Sequence, residues 1–332
     1  MVSHALPTAV IGAGDWGKNI VRKFHECEAL AAVAETNTEK ANQIQSDYNV
    51  PIRTFDEIIH DDQIKAIALT SPAITHYELA LQVIEQGKHL FIEKPITLNH
   101  QEAEDLTAKA RAKNITLMAG HLLHYHPCFA KLKELVADGE LGAVRHIHSR
   151  RFNIGKFREE ENVLWDLGPH DVSMVLALAG NDPITIEGKA ANYLLPNVSD
   201  FASIYLTFPG NINAEINLSW LAPQKEHRLI IIGEKAMAVF DDTLEWDNKL
   251  RIHRHKAEMK PGKPPILERD MEGEAVPVPY KEPLLNECET FLNAITSNTP
   301  PYSTGEEASN VIKVLEAADP AIKAQQTLSK TG

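Results

Sequence analysis

Gly12-Ala13-Gly14-Asp15-Trp16-Gly17 stands between a short apolar run, Ala9-Val10-Ile11, and a helical pattern from about Trp16 to Cys27. Alone, this spacing is also that of a plain glycine-rich turn. Between a strand and a helix it can cradle a dinucleotide. Gly12 allows the tight turn, Gly14 lets backbone approach a pyrophosphate, and Gly17 permits close helix–strand packing. Free N–H groups at the helix start, around Asp15 and Trp16, then face the phosphates. An acid is expected at the end of the second strand, where it holds the ribose 2′-hydroxyl and repels a 2′-phosphate. Glu35 stands there, followed by Thr36-Asn37-Thr38 and by no arginine. The expected cofactor is NAD. A solvated strand-end acid is the plain alternative for Glu35.

The first 120 residues alternate strands with helices. Strands are expected at 9–11, 30–35, 66–70, 89–93 and 115–120, and helices at 16–27, 38–48, 75–86 and 99–113. Thr38 is a candidate N-cap, Gly87 stops the third helix and Pro95 the fourth strand. This order implies a parallel sheet with helices on both faces. Beyond residue 120 the texture changes. Helices are expected at 127–138 and at 163–178, the latter interrupted by Gly168-Pro169. Strands at 144–152, 184–193, 203–208, 212–220, 227–232 and 236–240 suggest an open, mainly antiparallel sheet. Residues 241–280, rich in charge and proline, read as loops or weak strands. Two helices, 284–298 and 306–325, close the chain. The expected architecture is α/β, with a cofactor domain over 1–120 and an α+β domain over 121–332.

A chain of 332 residues accommodates two domains. A formal net charge of −13 argues against a general nucleic-acid binder, which needs a basic face. No stretch approaches the roughly 18 apolar residues of a membrane span, and Met1 to Thr8 lacks a leader pattern. Cys27, Cys128 and Cys288 are few and scattered, as expected of reduced thiols in a cytoplasmic protein.

Glu93-Lys94-Pro95 falls at the C-terminal end of a strand, where open α/β sheets bind ligands. Lys94 there could hold a reacting hydroxyl and stabilise charge developing on its oxygen. Alone it is an ordinary surface lysine. In Trp165-Asp166-Leu167-Gly168-Pro169-His170-Asp171, Asp166 and His170 stand four apart, on one helix face. An imidazole is suited to take an alcohol proton as hydride leaves, and Asp166 could orient it or bind substrate. A buried polar pair around Gly168-Pro169 is the plain alternative. Trp165 and Leu167 are expected in the core.

These motifs, with Thr70-Ser71-Pro72 followed by His76, and with Phe291, Pro301 and Gly305-Glu306-Glu307, resemble the Gfo/Idh/MocA oxidoreductases over nearly the whole chain. The resemblance implies a Rossmann domain and a second domain whose open sheet makes homo-oligomer contacts, as a dimer or tetramer. It implies NAD(P)-dependent oxidation or reduction of a sugar or cyclitol. The family's lysine falls on Lys94, its acid/base on His170 and its nearby carboxylate on Asp166. Cofactor contacts are then expected from Gly12, Gly14, Asp15, Trp16, Gly17, Glu35, Thr70, Ser71, Pro72, His76, Glu93 and Lys94. The chain departs from many members at Glu159-Glu160-Glu161-Asn162-Val163-Leu164, where a glycine-rich run is common. It also departs at Gly120-His121-Leu122-Leu123-His124-Tyr125-His126-Pro127. These variants look most like the branch that oxidises the C3 hydroxyl of UDP-N-acetylhexosamines or their uronic acids.

Arg145, Arg150, Arg151, Lys156 and Arg158 cluster before the catalytic pair. Such a cluster could receive a diphosphate, or be a strand face balanced by Glu159 to Glu161. Substrate contacts are expected from Lys94, His121, Tyr125, Arg151, Asn153, Arg158, Asp166 and His170. No metal is expected, because His121, His124 and His126 have no carboxylate or cysteine at a recognisable spacing. A free sugar or inositol as substrate, and a non-catalytic dinucleotide sensor on the same fold, are the alternatives.

Overall fold

The structure, a computed structural model, describes residues 6–155, 157 and 161–319. In chain order the elements are β1 (Thr8–Ile11), α1 (Gly17–Glu26), β2 (Leu30–Ala34), α2 (Thr38–Tyr48), α3 (Phe55–Ile59), β3 (Ala66–Leu69), α4 (His76–Glu85), β4 (His89–Glu93), α5 (His100–Ala112) and β5 (Leu117–Gly120). Then follow α6 (Pro127–Ala137), β6 (Val144–Phe152), α7 (Val163–Ala179), β7 (Thr185–Ala191), β8 (Phe201–Phe208), β9 (Ile212–Ser219), β10 (Glu226–Gly233) and β11 (Ala236–Asp241). The last are β12 (Leu250–Glu258), β13 (Ile266–Arg269), β14 (Glu274–Ala275), α8 (Pro283–Ser297) and α9 (Gly305–Ala318).

The chain divides into two compact units. Among the described residues one comprises those of 6–125 with 281–313, the other those of 126–280 with 314–319. The expected boundary at residue 120 therefore corresponds to a first crossing a few residues later. The second crossing, at 280/281, returns α8 and most of α9 to the first unit. Packing gives the reason. Phe291 of α8 meets Phe24 edge-on at 6.2 Å and Phe91 at 5.9 Å, and joins Val10, Ile20, Val33, Ala68 and Met118 in one buried cluster. Such edge-to-face pairs add to the area they bury.

In the first unit five strands run in the order β2-β1-β3-β4-β5, all parallel. The strands are buried on both faces, which is why they read as continuous apolar runs rather than alternations. The order reverses between β1 and β3, and the loops after those strands flank the crevice where such sheets bind ligands. Asn37, not Thr38, caps α2, accepting from Lys40 N at 3.0 Å.

In the second unit the sheet order is β13-β12-β11-β10-β6-β9-β8-β7. It is antiparallel except at its centre, where β6 and β9 pair in parallel. α7 lies against β9, β6 and β8, over buried Ile147, Ile204, Ile216 and Leu218. Gly168 and Pro169 do not interrupt α7, which runs through them. A β-carbon on Gly168 would lie 3.0 Å from Leu315 and 3.3 Å from Leu218, so this glycine permits close helix packing. Residues 241–280 contain a nine-residue strand, β12, where loops or weak strands were expected. Only Leu250 and Ile252 of it are buried, so its charged remainder hides the period. Among the described residues no helix is long and apolar enough to cross a membrane. α9 ends at Ala318, and residues 320–325 of the expected last helix lie outside the described residues.

Candidate active site

The first unit builds its cradle at the carboxyl ends of β1, β3 and β4. Gly12 has φ +90°, a conformation that favours glycine. A β-carbon on Gly17 would overlap the Gly12 carbonyl oxygen and lie 2.6 Å from Thr70 Oγ1, whereas one on Gly14 would meet nothing within 4 Å. The helix start is thus closed against β1 and β3 and open at Gly14, the shape a pyrophosphate on a helix N-terminus requires. Thr70 Oγ1 donates to the Gly12 carbonyl, Ser71 Oγ lies 2.8 Å from Thr75 Oγ1, and Pro72 starts a short 3-10 turn over 73–75.

Glu35 follows β2. Its carboxylate accepts from Ala13 N and Asn37 N, each at 2.8 Å. Burial pushes its pKa up, but the Asn37 and Ala13 amides outweigh this and hold it below the ordinary value. An ionised acid fixed against the glycine loop fits a ribose diol and opposes a 2′-phosphate. Asp15 and Trp16 are exposed in the loop. Trp16 Nε1 donates to Glu93 Oε1 at 2.6 Å, tying the loop to β4. Glu93 is buried, which raises its pKa although Trp16 and Lys94 oppose the shift. Lys94 is partly exposed and its peptide bond to Pro95 is cis. The ring of His76 is 1% exposed and lies between two backbone carbonyls, those of Pro95 and Ser71.

His121 directly follows β5. Because Glu93 pairs with Gly120, Lys94 and His121 leave adjacent strand ends. His121 Nδ1 is 2.7 Å and His124 Nε2 3.3 Å from the carboxylate of Glu307 on α9. Burial works against ionisation of Glu307, yet His121 and His124 hold its pKa down to about 2. The carboxylate missing from the local sequence is thus supplied from 186 residues away. These donor atoms lie within 4.8 Å of one another, as do those of His146, His148 and Glu215. The 2.7 Å His121–Glu307 spacing is that of a charge-assisted hydrogen bond, and the 3.3 Å His124 contact is a longer one. Tyr125 is buried, with its hydroxyl 2.7 Å from Ser303 Oγ. Its polar atom is therefore engaged inside the unit rather than displayed to a ligand.

In the second unit Asn162 caps α7, accepting from Leu164 N at 3.0 Å and Trp165 N at 3.2 Å. Trp165 is buried and donates to Asp319 at 2.9 Å, while Leu167 is half-buried. Asp166 and His170 share a face of α7 and are both partly exposed. Trp220 Nε1 donates to Asp166 Oδ2 at 3.0 Å, fixing that carboxylate. Trp220 was not singled out by the sequence, where a tryptophan ending a strand reads as core.

The arginines are mostly paired. Arg151 is 8% exposed and its Nε donates to Asp171, which also accepts from Ser149 Oγ at 2.5 Å. Arg145 pairs with Glu234, and Arg150 with Glu226 at 3.8 Å. Asn153 is half-buried, its backbone N–H donating to Ser219 O at 3.0 Å. Lys156 and Arg158 lie outside the described residues. His126 belongs to this unit. Its Nδ1 accepts from Cys128 N at 3.1 Å, and its Nε2 is 3.3 Å from Asp242. The three histidines of the 121–126 segment thus serve two separate networks.

The chain matches two family models: the oxidoreductase family with NAD-binding Rossmann fold over residues 6–121, and the GFO/IDH/MocA C-terminal domain over 129–239. It is 28% identical over 309 residues to UDP-N-acetylglucosamine 3-dehydrogenase of Acidithiobacillus ferrooxidans, covering 92% of this chain and 93% of that one. It is 24% identical to scyllo-inositol 2-dehydrogenase (NADP(+)) IolW of Bacillus subtilis, covering 90% and 88%. The solved structure of the Acidithiobacillus ferrooxidans enzyme GnnA superposes with a TM-score of 0.83 at 25% identity, covering 97% of this chain and 99% of that one. With its NAD cradle, its parallel first sheet and its mainly antiparallel second sheet, the chain belongs to the Gfo/Idh/MocA family of NAD-binding oxidoreductases.

Proposed function

We propose that the chain oxidises the C3 hydroxyl of a UDP-N-acetylhexosamine, or of its uronic acid, to a 3-keto sugar. The observation that carries this reading is the near full-length similarity to a UDP-N-acetylglucosamine 3-dehydrogenase, in a chain that keeps Lys94, Asp166 and His170 partly exposed. In the proposed reaction the imidazole of His170 takes the hydroxyl proton. The Lys94 ammonium steadies the oxygen as negative charge grows on it. Asp166, anchored by Trp220, orients the histidine or the sugar. Gly12, Gly14, Gly17 and Glu35 would hold NAD, which would supply the acceptor for the hydride leaving the carbinol carbon.

Ion-paired Arg145, Arg150 and Arg151 favour a second reading, in which the substrate is a free sugar or inositol. The test is turnover of NAD-loaded protein with UDP-N-acetylglucosamine, its uronic acid, free hexoses and inositols. A keto product from the UDP-sugars alone supports the first reading, and one from free polyols alone replaces it with the second. Assembly as a dimer or tetramer is part of the proposal, and sedimentation analysis tests it.

A further inference from the structure

His76 was expected among the cofactor contacts, but both its ring nitrogens are engaged elsewhere. Nδ1 lies 2.8 Å from the Pro95 carbonyl oxygen and Nε2 lies 2.8 Å from the Ser71 carbonyl oxygen. The ring therefore spans two segments of the cradle. One is the Thr70-Ser71-Pro72 turn after β3. The other is the turn after β4, which carries Lys94 next to Pro95. Carbonyl oxygens only accept, so each arm needs a proton on the nitrogen that faces it. Burial outweighs the pull of the two carbonyls and lowers the ring's pKa, so the single proton of the neutral ring forms the Pro95 arm when it sits on Nδ1 and the Ser71 arm when it sits on Nε2.

We propose that His76 is the positioning residue for Lys94, its Nδ1 arm to Pro95 setting where the ammonium stands and its Nε2 arm to Ser71 shaping the cofactor turn. The proposal rests on the dehydrogenase reading of Lys94. It assigns separate consequences to the two arms. A lysine displaced by about 1 Å from the reacting oxygen costs on the order of 100-fold in rate, whereas a relaxed Ser71 turn weakens NAD binding.

Two substitutions separate the arms. An asparagine amide nitrogen stands near the place of Nδ1, and a glutamine amide nitrogen near that of Nε2. His76→Asn keeps a donor for Pro95 and loses the one for Ser71. Its NAD dissociation constant should rise about tenfold and its kcat fall no more than about threefold. His76→Gln keeps the Ser71 donor and loses the other. Its kcat should fall about 100-fold, with NAD affinity changed no more than about threefold. His76→Ala should show both losses.

NAD affinity is read by calorimetry. The setting of Lys94 is read without turnover, from its acylation rate by mass spectrometry, which should change in the Gln variant and not in the Asn variant. Thermal melts identify any variant that fails to fold. Equal losses in the Asn and Gln variants, or an unchanged Lys94 acylation rate in both Gln and Ala variants, overturn the proposal. Failure of the wild type to oxidise any sugar, with the acylation pattern intact, overturns the proposed function and leaves the positioning role standing.

Discussion

Removing Asp171 should strongly destabilise the second unit, because its carboxylate is the buried partner of a buried arginine. The side chain is 2% exposed and accepts from Ser149 and Arg151, whose own side chain is 9% exposed. Asp171→Leu leaves the Arg151 guanidinium buried without its carboxylate. Breaking such a pair from one side costs about 3–5 kcal/mol, mainly through the uncompensated charge. At about 2–4 °C per kcal/mol for a unit of this size, the calorimetric transition should fall by roughly 6–20 °C. The pair itself is worth little, because its desolvation offsets its attraction. The double variant Arg151→Met/Asp171→Leu should therefore recover to within about 1.5 kcal/mol of the wild type, as packed apolar replacements of buried ion pairs do. Scanning calorimetry and urea unfolding of the two single variants and the double variant decide this. An Asp171→Leu cost below about 1 kcal/mol, or a double variant as unstable as either single, refutes the reasoning. The cycle also assigns Arg151. A stable double variant with unchanged KM for a UDP-sugar makes this arginine a structural cation, and a raised KM restores it as a diphosphate ligand.

Three further outcomes are expected. Glu35→Gln, which takes the anion from the Ala13 and Asn37 amides, should weaken NAD binding by about 10- to 100-fold and reduce discrimination against NADP, both read by titration calorimetry. Gly17→Ala would push a methyl group into the Gly12 carbonyl and Thr70. Overpacking of about 1–3 kcal/mol should lower the melting temperature and remove measurable NAD binding, which a fluorescence titration reads. Glu307 has its folded pKa lowered to about 2 from an ordinary 4.5. Its stabilisation is therefore present above pH 4.5 and is lost as pH falls through about 2, a window worth about 3 kcal/mol. Urea unfolding between pH 5 and 3 should show the wild type losing stability more steeply than Glu307→Gln.

Much of the first unit was legible because its signals are local. β4 is read to the residue, His89–Glu93, since Gly87 and Pro95 bracket an apolar run. The glycine loop is legible because its geometry makes demands only glycine meets, at φ +90° for Gly12 and at the Gly17 contact. What was not legible depends on distant partners. α8 was recognised as a helix, but nothing local shows that Phe291 packs on Phe24 and Phe91 and so returns to the first unit. Glu307 was part of a resemblance and not of a site, because His121 and His124 are brought to it only by the fold. Arg151 reads as a ligand for phosphate until Asp171 is seen beneath it. Even the difference between Thr38 and Asn37 as cap turns on one φ/ψ pair that neighbouring polar residues serve about equally well.

The central proposal is that a sugar-nucleotide carbinol carbon gives up a hydride to NAD while His170 takes the hydroxyl proton and Lys94 steadies the oxygen. The most direct measurement is single-turnover absorbance at the reduced-nicotinamide band, with NAD-loaded wild type and His170→Asn mixed with UDP-N-acetylglucosamine or its uronic acid. The account predicts a stoichiometric rise in the wild type and a rate about 100- to 10,000-fold lower in the variant. A wild-type rise that His170→Asn leaves unchanged, or no rise with either UDP-sugar, would contradict it.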